Sequence, residues 1–276
     1  MKYYVIADPH GFYDTLRQTL EERGFFDENE PCKLIVCGDL MDRGDGAVAM
    51  QKFMVELLEQ DRLIYVRGNH EDLMERMLTE LETGQEFRLL SNGVTVHEHN
   101  GTWDTALQLS GMTDAEAKAD SLTLVRRVRE SAYYAVLMPA AVDYFETERY
   151  VFTHGYIPCK AVQGSTKYAG YKTFYFNSDW REASPEDWYN ARWYNGMEFA
   201  YFRDLYLRDK TVVCGHFHAS YGHANIEGRG SEFGRDADFT PFCGKRCKDP
   251  DGPLAVIALD ACTKFSGVMN CIVIEE

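Results

Sequence analysis

The sequence has 276 residues, of which 45% are hydrophobic, and this length allows one large or two small domains. Its 44 acidic residues against 29 lysines and arginines give a formal net charge of -15. Such a charge opposes non-specific binding to nucleic acid or to an anionic membrane, so we expect neither partner. A phosphate-bearing substrate would require a local reversal of this sign, which bound metal ions can supply.

The beginning of the sequence and its cysteines are typical of a cytoplasmic protein. Residues 1–8 form a strand-like run without the charged leader and apolar core of a signal peptide. No apolar run approaches the ~18 residues that a membrane span needs. Without a signal peptide, the eight cysteines are more typical of reduced thiols than of disulfides. One close pair, Cys243 and Cys247, is weak evidence for zinc because no second pair accompanies it.

The first third of the chain repeats one pattern three times: a short apolar run, a polar cluster and a segment with a helical apolar stripe. The apolar runs predict strands over residues 3–7, 33–37 and 63–66, and the stripes predict helices over 15–23, 47–60 and 72–82. Strands that alternate with helices predict parallel βαβ units.

The rest of the chain changes from helical to extended periodicity. Beyond residues 89–112, which are difficult to assign, the pattern predicts a helix over 114–137, a hairpin of 141–146 with 149–153, strands over 211–214, 254–259 and 268–274, and loops over 222–252. Residues 156–210 are rich in aromatic side chains, which are more often core packing than recognition.

Polar side chains of the types that bind metals follow directly after six of the strand-like runs. They are Asp8 with His10, Asp39, Asn69, His154, His216 with His218, and Asp260. Each alone has a simpler explanation, since a lone histidine is usually a core or surface residue. If the strands share one sheet edge, however, the whole set converges on a single cleft.

The residue types of this set indicate which chemistry the cleft could perform. Mixed carboxylate, imidazole and amide ligands suit Mn, Fe, Zn or Co better than Ca or Mg, which prefer oxygen ligands. Two such ions can share a bridging carboxylate and a bridging water, whose pKa they lower to give a hydroxide nucleophile. We therefore expect two divalent metal ions, and no serine or cysteine nucleophile is required.

Taken in order, these clusters resemble the calcineurin-like metallophosphoesterase family. The motifs that carry the resemblance are Asp8-x-His10, Gly38-Asp39-x-x-Asp42-Arg43-Gly44, Gly68-Asn69-His70-Glu71, His154-Gly155 and Gly215-His216-x-His218. The details are most similar to the serine/threonine phosphoprotein phosphatase branch, which includes bacterial protein phosphatases and symmetrical diadenosine tetraphosphatases. The resemblance implies an α/β sandwich of two mixed β-sheets flanked by helices, in a single domain over residues 1–276.

The resemblance also implies a role for each site residue. It assigns Asp8 and His10 to a first metal ion, Asp39 to a position between two ions, and Asn69, His154 and His216 to the second ion. His218 matches a histidine that binds the first ion in the wider family but that the phosphoprotein phosphatase branch usually lacks. His70 matches the general acid, Asp42 the carboxylate that orients it, and Arg43 an arginine that holds phosphate oxygens. For Asp42 and Arg43 taken alone, a helix cap and a solvated side chain are the simpler interpretation.

Several features depart from the branch or leave the substrate open. Tyr156 follows His154-Gly155, so we expect its bulky ring to line the cleft, and Pro9 separates the first two ligands. Residues 156–210 match no motif and are predicted to form a substrate-selecting cap.

The predicted function is direct hydrolysis of phosphate esters by a metal-bridging hydroxide, in a serine/threonine protein phosphatase-like enzyme with a phosphorylated protein as substrate. A symmetrical dinucleoside polyphosphate hydrolase and a small-molecule phosphomonoesterase are the alternatives. A dinucleotide hydrolase would need a deeper pocket with aromatic rings for stacking, and core packing explains the candidate rings equally well; they are Trp180, Trp188, Tyr189 and Trp193. A non-catalytic scaffold of the same fold is disfavoured, because all the expected ligands and the acid are present.

Overall fold

The computed structural model describes residues 1–163, 172–245 and 254–276. Its strands are β1 (Lys2–Ile6), β2 (Cys32–Cys37), β3 (Leu63–Val66), β4 (Phe145–Glu146), β5 (Tyr150–Phe152), β6 (Cys159–Gln163), β7 (Lys172–Phe176), β8 (Thr211–Cys214), β9 (Phe242–Lys245), β10 (Leu254–Ala258) and β11 (Cys271–Glu275). Its α-helices are α1 (Tyr13–Glu22), α2 (Ala47–Glu59), α3 (Asn69–Thr83), α4 (Val96–Asn100), α5 (Thr102–Ser110), α6 (Asp114–Ala119), α7 (Ser121–Glu130), α8 (Met138–Ala140), α9 (Pro185–Ala191), α10 (Ala219–Asn225) and α11 (Thr263–Ser266).

Two mixed sheets form the framework. The first has the strand order β11-β1-β2-β3, in which β1, β2 and β3 are parallel and β11 is antiparallel to β1. The second has the order β4-β5-β8-β10-β9, with three parallel strands in the middle and an antiparallel strand at each edge. Strands β6 and β7 pair separately. The predicted α/β fold with two mixed sheets is confirmed, as is the parallel arrangement of its first three strands.

The two sheets pack face to face because their central strands carry apolar side chains on both faces. Val5 and Ile35 of the first sheet share one buried cluster with Phe152, Val213 and Ile257 of the second. Helices α1, α2, α3, α5 and α7 cover the outer face of the first sheet with another cluster. Residues between 156 and 207 cover the outer face of the second sheet. The fold is therefore a sandwich with its helices on the outside.

The prediction of one continuous helix over residues 114–137 is wrong. The structure divides this stretch into α6, α7 and a π-helical turn over Tyr133–Leu137. The first break occurs at Asp120, whose φ of -141° and ψ of 76° leave the helical region. Its side chain accepts a hydrogen bond from the N–H of Thr123 at 3.0 Å and so caps α7. Thr113, rather than Asp114, caps α6 by accepting from the N–H of Glu116.

Two stretches without a clear periodic pattern contain regular elements. Residues 89–112 hold α4 and α5, and the predicted loop 222–252 holds the end of α10 and all of β9. Strand β9 is short and lies at a sheet edge, where Gly244 weakens the sequence pattern of a strand. Among the residues that the structure describes, no helix combines the length and the apolar character that a membrane crossing requires.

A buried ion pair joins residues 156–210 to helix α3. Arg192 is 6% exposed, and its Nε and one terminal nitrogen contact the carboxylate of Asp72 at 2.7 and 3.1 Å. Its other terminal nitrogen lies 2.7 Å from Asp143. Asp72 also accepts from Nε of Arg67 at 2.8 Å. Because α3 begins at Asn69, this pair fixes the segment against the helix that carries two of the predicted site residues.

We expect Arg192→Met to destabilise the protein by about 3 kcal/mol, because it leaves part of the charge of Asp72 buried and unpaired. This loss of unfolding free energy lies at the lower end of the range for broken buried ion pairs, because Arg67 still pairs with Asp72. Urea unfolding of the variant measures this difference. Arg126→Met is the matched control, because Arg126 and Glu130 form an exposed pair whose loss is expected to cost less than about 1 kcal/mol. Equal stability of the two variants would contradict the anchoring role.

Candidate metal centre

Asp39 lies at the centre of the residues that the sequence predicts as a site. One of its carboxylate oxygens lies 3.7 Å from Nε2 of His10 and 3.8 Å from Nε2 of His70. The other lies 3.3 Å from Nε2 of His154. That same nitrogen is 2.7 Å from the side-chain oxygen of Asn69. The turns after β1, β2, β3 and β5 therefore converge on one carboxylate.

Backbone carbonyls fix the tautomers of two of these histidines. Nδ1 of His10 lies 3.0 Å from the carbonyl oxygen of Met41, and Nδ1 of His154 lies 2.9 Å from that of Cys37. Because a carbonyl only accepts, each Nδ1 carries a proton, and in the neutral ring this leaves the lone pair on Nε2. Both lone pairs face Asp39. Outer hydrogen bonds of this kind orient imidazoles as metal ligands.

The potential ligand atoms fall into two groups that share Asp39. His10, Asp39 and His70 form one group, and Asp39, His154 and His216 form the other, with the ligand atoms of each group within 4.8 Å of one another. Burial lowers the pKa of His216 to about 3 and holds that of His10 well below its ordinary value. Neutral imidazoles are the form that binds metals.

The carboxylates around this centre carry more negative charge than the protein groups neutralise. Asp8 accepts the backbone N–H of His216 at 3.0 Å and is buried beside Asp39 and Asp260. Burial, and then repulsion by Asp260 and Asp39, raise the pKa of Asp8 well above its ordinary value. Burial likewise raises the pKa of Asp260 to about 7. Buried carboxylates this close need a cation, so the donor set fits divalent metal ions.

Next to this centre, His70 is held between a carboxylate and a guanidinium. Its Nδ1 lies 2.7 Å from Asp42 and its Nε2 lies 3.3 Å from a terminal nitrogen of Arg43. Burial lowers the pKa of His70, but the charge of Asp39 and the hydrogen bond to Asp42 raise it further, so it lies above its ordinary value. Asp42 in turn accepts from the hydroxyl of Thr102 at 2.7 Å. The arrangement can present a proton at Nε2.

The backbone at the site is unusually strained. Nine non-glycine residues of the described chain have a positive φ, and seven of these belong to the site or touch it: Asp8, His10, Asp39, Asp42, Arg43, His216 and Cys262. Left-handed backbone costs about 1–3 kcal/mol for such residues, and it persists where the surrounding structure imposes it. Clustered strain of this kind supports a functional site at these turns.

A model of the calcineurin-like phosphoesterase family matches residues 1–240 of this chain. The chain belongs to this family. The family expected from the five motifs is therefore confirmed, and members of this family use divalent metals.

Individual relatives match smaller parts of this phosphoesterase. The bis(5'-nucleosyl)-tetraphosphatase PrpE [asymmetrical] of Bacillus velezensis is 27% identical over 50% of this chain and 52% of its own length. The bis(5'-nucleosyl)-tetraphosphatase, symmetrical, of Buchnera aphidicola is 37% identical over 26% of this chain and 24% of its own length. The matches thus span about half of the first relative and a quarter of the second.

A solved structure supports the fold of the phosphoesterase. The cold-active protein-tyrosine phosphatase of a psychrophilic Shewanella species has a TM-score of 0.51, covering 100% of this chain and 75% of its own, at 17% identity. At this level of identity the likeness concerns the fold alone.

Some residues predicted for the site lie outside the two groups. His218 belongs to neither: its Nδ1 lies 2.7 Å from the hydroxyl of Ser220, and its Nε2 lies 3.3 Å from Glu232. Tyr156 does not line the cleft as expected, because its ring is buried against Phe199. The backbone after His154 therefore turns the ring into the core of the second sheet.

The aromatic and cysteine candidates are placed as follows. Trp180 and Trp188 are buried in the core, as the packing interpretation predicts. Tyr189 and Trp193 are each 41% exposed, and the ring of Trp193 lies 5.8 Å from that of His216. Cys243 is exposed and Cys247 lies outside the described residues, so the structure adds nothing to the weak evidence that this pair gives for zinc.

Two residues for which the sequence predicts no role, Glu71 and Thr105, support the turns of the site through hydrogen bonds to the backbone. Glu71 is fully buried and accepts from the backbone N–H groups of Asp39, Leu40 and Gly68 at 3.0, 3.1 and 2.6 Å. It thereby ties the turn after β2 to the start of α3. Thr105 holds the other side, since its hydroxyl accepts from the N–H of Asp42. Glu71 could have been found from the sequence, because it belongs to the Gly-Asn-His-Glu motif. Thr105 lies in a stretch that contains no recognisable motif.

We expect Asp39→Asn to lose most of the bound metal and Asp42→Asn to retain it, because only Asp39 belongs to both ligand groups. Metal analysis of the purified proteins by mass spectrometry, after loading with Mn²⁺, measures the difference. Asp61→Asn is the control for backbone effects, since Asp61 shares the φ of 54° of Asp39 while its side chain is 89% exposed. Equal metal loss in the Asp39 and Asp42 variants would refute this division.

Proposed function

We propose that this phosphoesterase hydrolyses phosphate esters with two divalent metal ions. The observation that carries the proposal is the position of Asp39 between two groups of ligand atoms. As the resemblance implies, His10 and Asp8, which lies outside both groups, would hold the first ion, and Asn69, His154 and His216 the second, with Asp39 shared. Mn, Fe, Zn and Co all suit this donor set. When bound, such ions supply an activated water as nucleophile and neutralise the phosphate.

His70 and Asp42 act on the leaving group in this proposal. Asp42 accepts a hydrogen bond from Nδ1–H of His70. This hydrogen bond orients Nε2 toward the centre and favours the charged ring. His70 then donates a proton from Nε2 to the oxygen of the departing group as the bond to phosphorus breaks. Solvent returns that proton after the product leaves.

Arg43 changes partner during the cycle. A guanidinium only donates, so its contact with Nε2 of His70 requires a lone pair on that nitrogen. The contact therefore breaks when Nε2 is protonated to act as the acid. The oxygens of a bound phosphate offer Arg43 a replacement acceptor. Binding of substrate thus frees the acid at the position where it is needed.

A dinucleoside polyphosphate is the substrate that we favour. The two relatives named above are bis(5'-nucleosyl)-tetraphosphatases, and they match this chain over about half and a quarter of their own length. The serine/threonine protein phosphatase activity expected from the motifs stays a prediction, with phosphoprotein as its substrate. We further propose that residues 156–210 act as a cap within a single domain, since Trp193 from this segment lies against His216.

Turnover of a substrate panel tests this proposal. We expect the chelator-stripped protein to be inactive and to recover with Mn²⁺ on p-nitrophenyl phosphate and diadenosine tetraphosphate. Asp39→Asn should lower kcat at least 100-fold, which is the magnitude typical of lost electrostatic stabilisation. Asp61→Asn should leave kcat unchanged. A phosphoserine peptide belongs in the same panel. No turnover with any of Mn²⁺, Fe²⁺, Zn²⁺ or Co²⁺ would refute the enzyme.

The role of His70 predicts a dependence on the leaving group. Loss of a general acid typically costs 10²–10⁴-fold, but only where the leaving group needs a proton. His70→Asn should therefore lower kcat/KM strongly for glycerol 2-phosphate and only slightly for p-nitrophenyl phosphate, whose leaving group is a stable anion. Steady-state kinetics on both esters measure the ratio. An equal loss on both, together with loss of metal, would make His70 a ligand rather than the acid.

A further inference from the structure

A cleft opens beside the candidate metal centre, on the side of Arg43. It has a volume of ≈ 410 Å³, and its walls include Arg43, His99, Lys264, Phe233 and Phe265. This volume lies within the range of small-molecule sites. Arg43 connects the cleft to the centre, because its guanidinium also contacts His70. A phosphate held at Arg43 would therefore have the rest of its molecule in this cleft.

Two exposed aromatic rings form a corner of the cleft. Phe233 is 54% exposed and Phe265 is 59% exposed, and their ring centroids lie 6.3 Å apart at an angle of 80°. A flat ring that stacks on one of them meets the edge of the other. Each ring also packs against a further aromatic ring. The ring centroids of His218 and Phe233 lie 4.4 Å apart, and those of Phe239 and Phe265 lie 5.8 Å apart. His218, which belongs to neither ligand group, therefore contributes to this corner by packing against Phe233.

The polar walls of the cleft favour an anion. Lys264 and Arg43 form no ion pair with any carboxylate among the residues that the structure describes. His99, which is exposed, adds a third nitrogen side chain to the same wall. In a chain with a net charge of -15, two cations at one cleft, with no carboxylate of the described residues within ion-pairing distance, favour an anionic ligand.

From this combination we infer that the cleft is a nucleotide subsite, in which a purine stacks in the corner of Phe233 and Phe265 while Lys264 and Arg43 hold its phosphates. The inference rests on the proposed function and adds the residues that select the substrate. Exposed aromatic rings bind bases because every base has a flat π-face. A phosphoserine peptide would use the cations but would have no flat ring for the corner, so the cleft favours the nucleotide.

Binding of small probes to the metal-loaded protein tests the subsite without relying on turnover. AMP, ribose 5-phosphate and inorganic phosphate all carry a phosphate, but only AMP carries a base. Stacking is worth ≈ 1–3 kcal/mol per base, so AMP should bind roughly 5- to 150-fold more tightly than ribose 5-phosphate. Calorimetric titration of the protein loaded with Mn²⁺ measures the binding constant of each probe.

Substitutions locate this preference in the corner. Phe265→Leu and Phe233→Leu should each reduce the preference for AMP at least threefold, while Phe265→Tyr, which keeps an aromatic face, should retain it. Phe202→Leu is the matched control, because Phe202 is 54% exposed like Phe233 but does not line the cleft. Unchanged melting temperatures show that the variants are folded.

The outcomes separate this inference from the proposed function. A preference for AMP that depends on both phenylalanines supports the subsite, even if no ester is hydrolysed, and such inactivity would overturn only the enzymatic proposal. Hydrolysis of glycerol 2-phosphate without any preference for AMP would overturn the subsite alone. A preference that survives both leucine variants, or tighter binding of a phosphoserine peptide that depends on the same two rings, would also overturn it.

Discussion

The buried carboxylate of Asp39 is the constraint around which the site is built. It is 2% exposed, and a charge removed from water in this way is stable only with close partners. Burial raises the pKa of Asp39, but the surrounding imidazoles and the backbone N–H of His70 outweigh it and hold the pKa below its ordinary range. The N–H of His70 adds a hydrogen bond at 2.9 Å. Both sheets supply these partners, because the turns after β1 and β3 of the first sheet and after β5 of the second converge on Asp39.

The close approach of the turns around Asp39 limits which residues can form them. Gly38 has a φ of +80°, and a Cβ atom there would lie 2.4 Å from Nδ1 of His154. At Gly215 a Cβ atom would lie 1.9 Å from the carboxylate of Asp8. The glycines of the two motifs thus follow from steric exclusion as well as from backbone freedom. The buried carboxylate of Glu71 joins these turns, because it accepts hydrogen bonds from the backbone N–H groups of Asp39 and Gly68.

How much of this could be predicted from the sequence depends on whether the signal is local. Asp8, Asp39 and His154 are predictable as site residues because each directly follows an apolar run, and that run forms a strand. Asp120 caps α7 through a local hydrogen bond, but the apolar periodicity continues across it and so predicts one helix. The partner of Arg192, by contrast, is 120 residues away, and no periodic pattern encodes that pairing. Phe233 and Phe265 likewise come together only in the folded chain.

The same distinction explains why the family is clearer than the substrate. The residues that hold the metal centre come from strand ends, whose positions the two sheets fix. The residues that could select a substrate come from elsewhere: Arg43 from a strained turn, Phe233 from the loop after α10, and Lys264 from the short helix α11. Such segments vary without disturbing the sheets. In the proposed function, substrate choice therefore depends on the walls of the cleft, while the candidate metal centre directs the reaction to a phosphate.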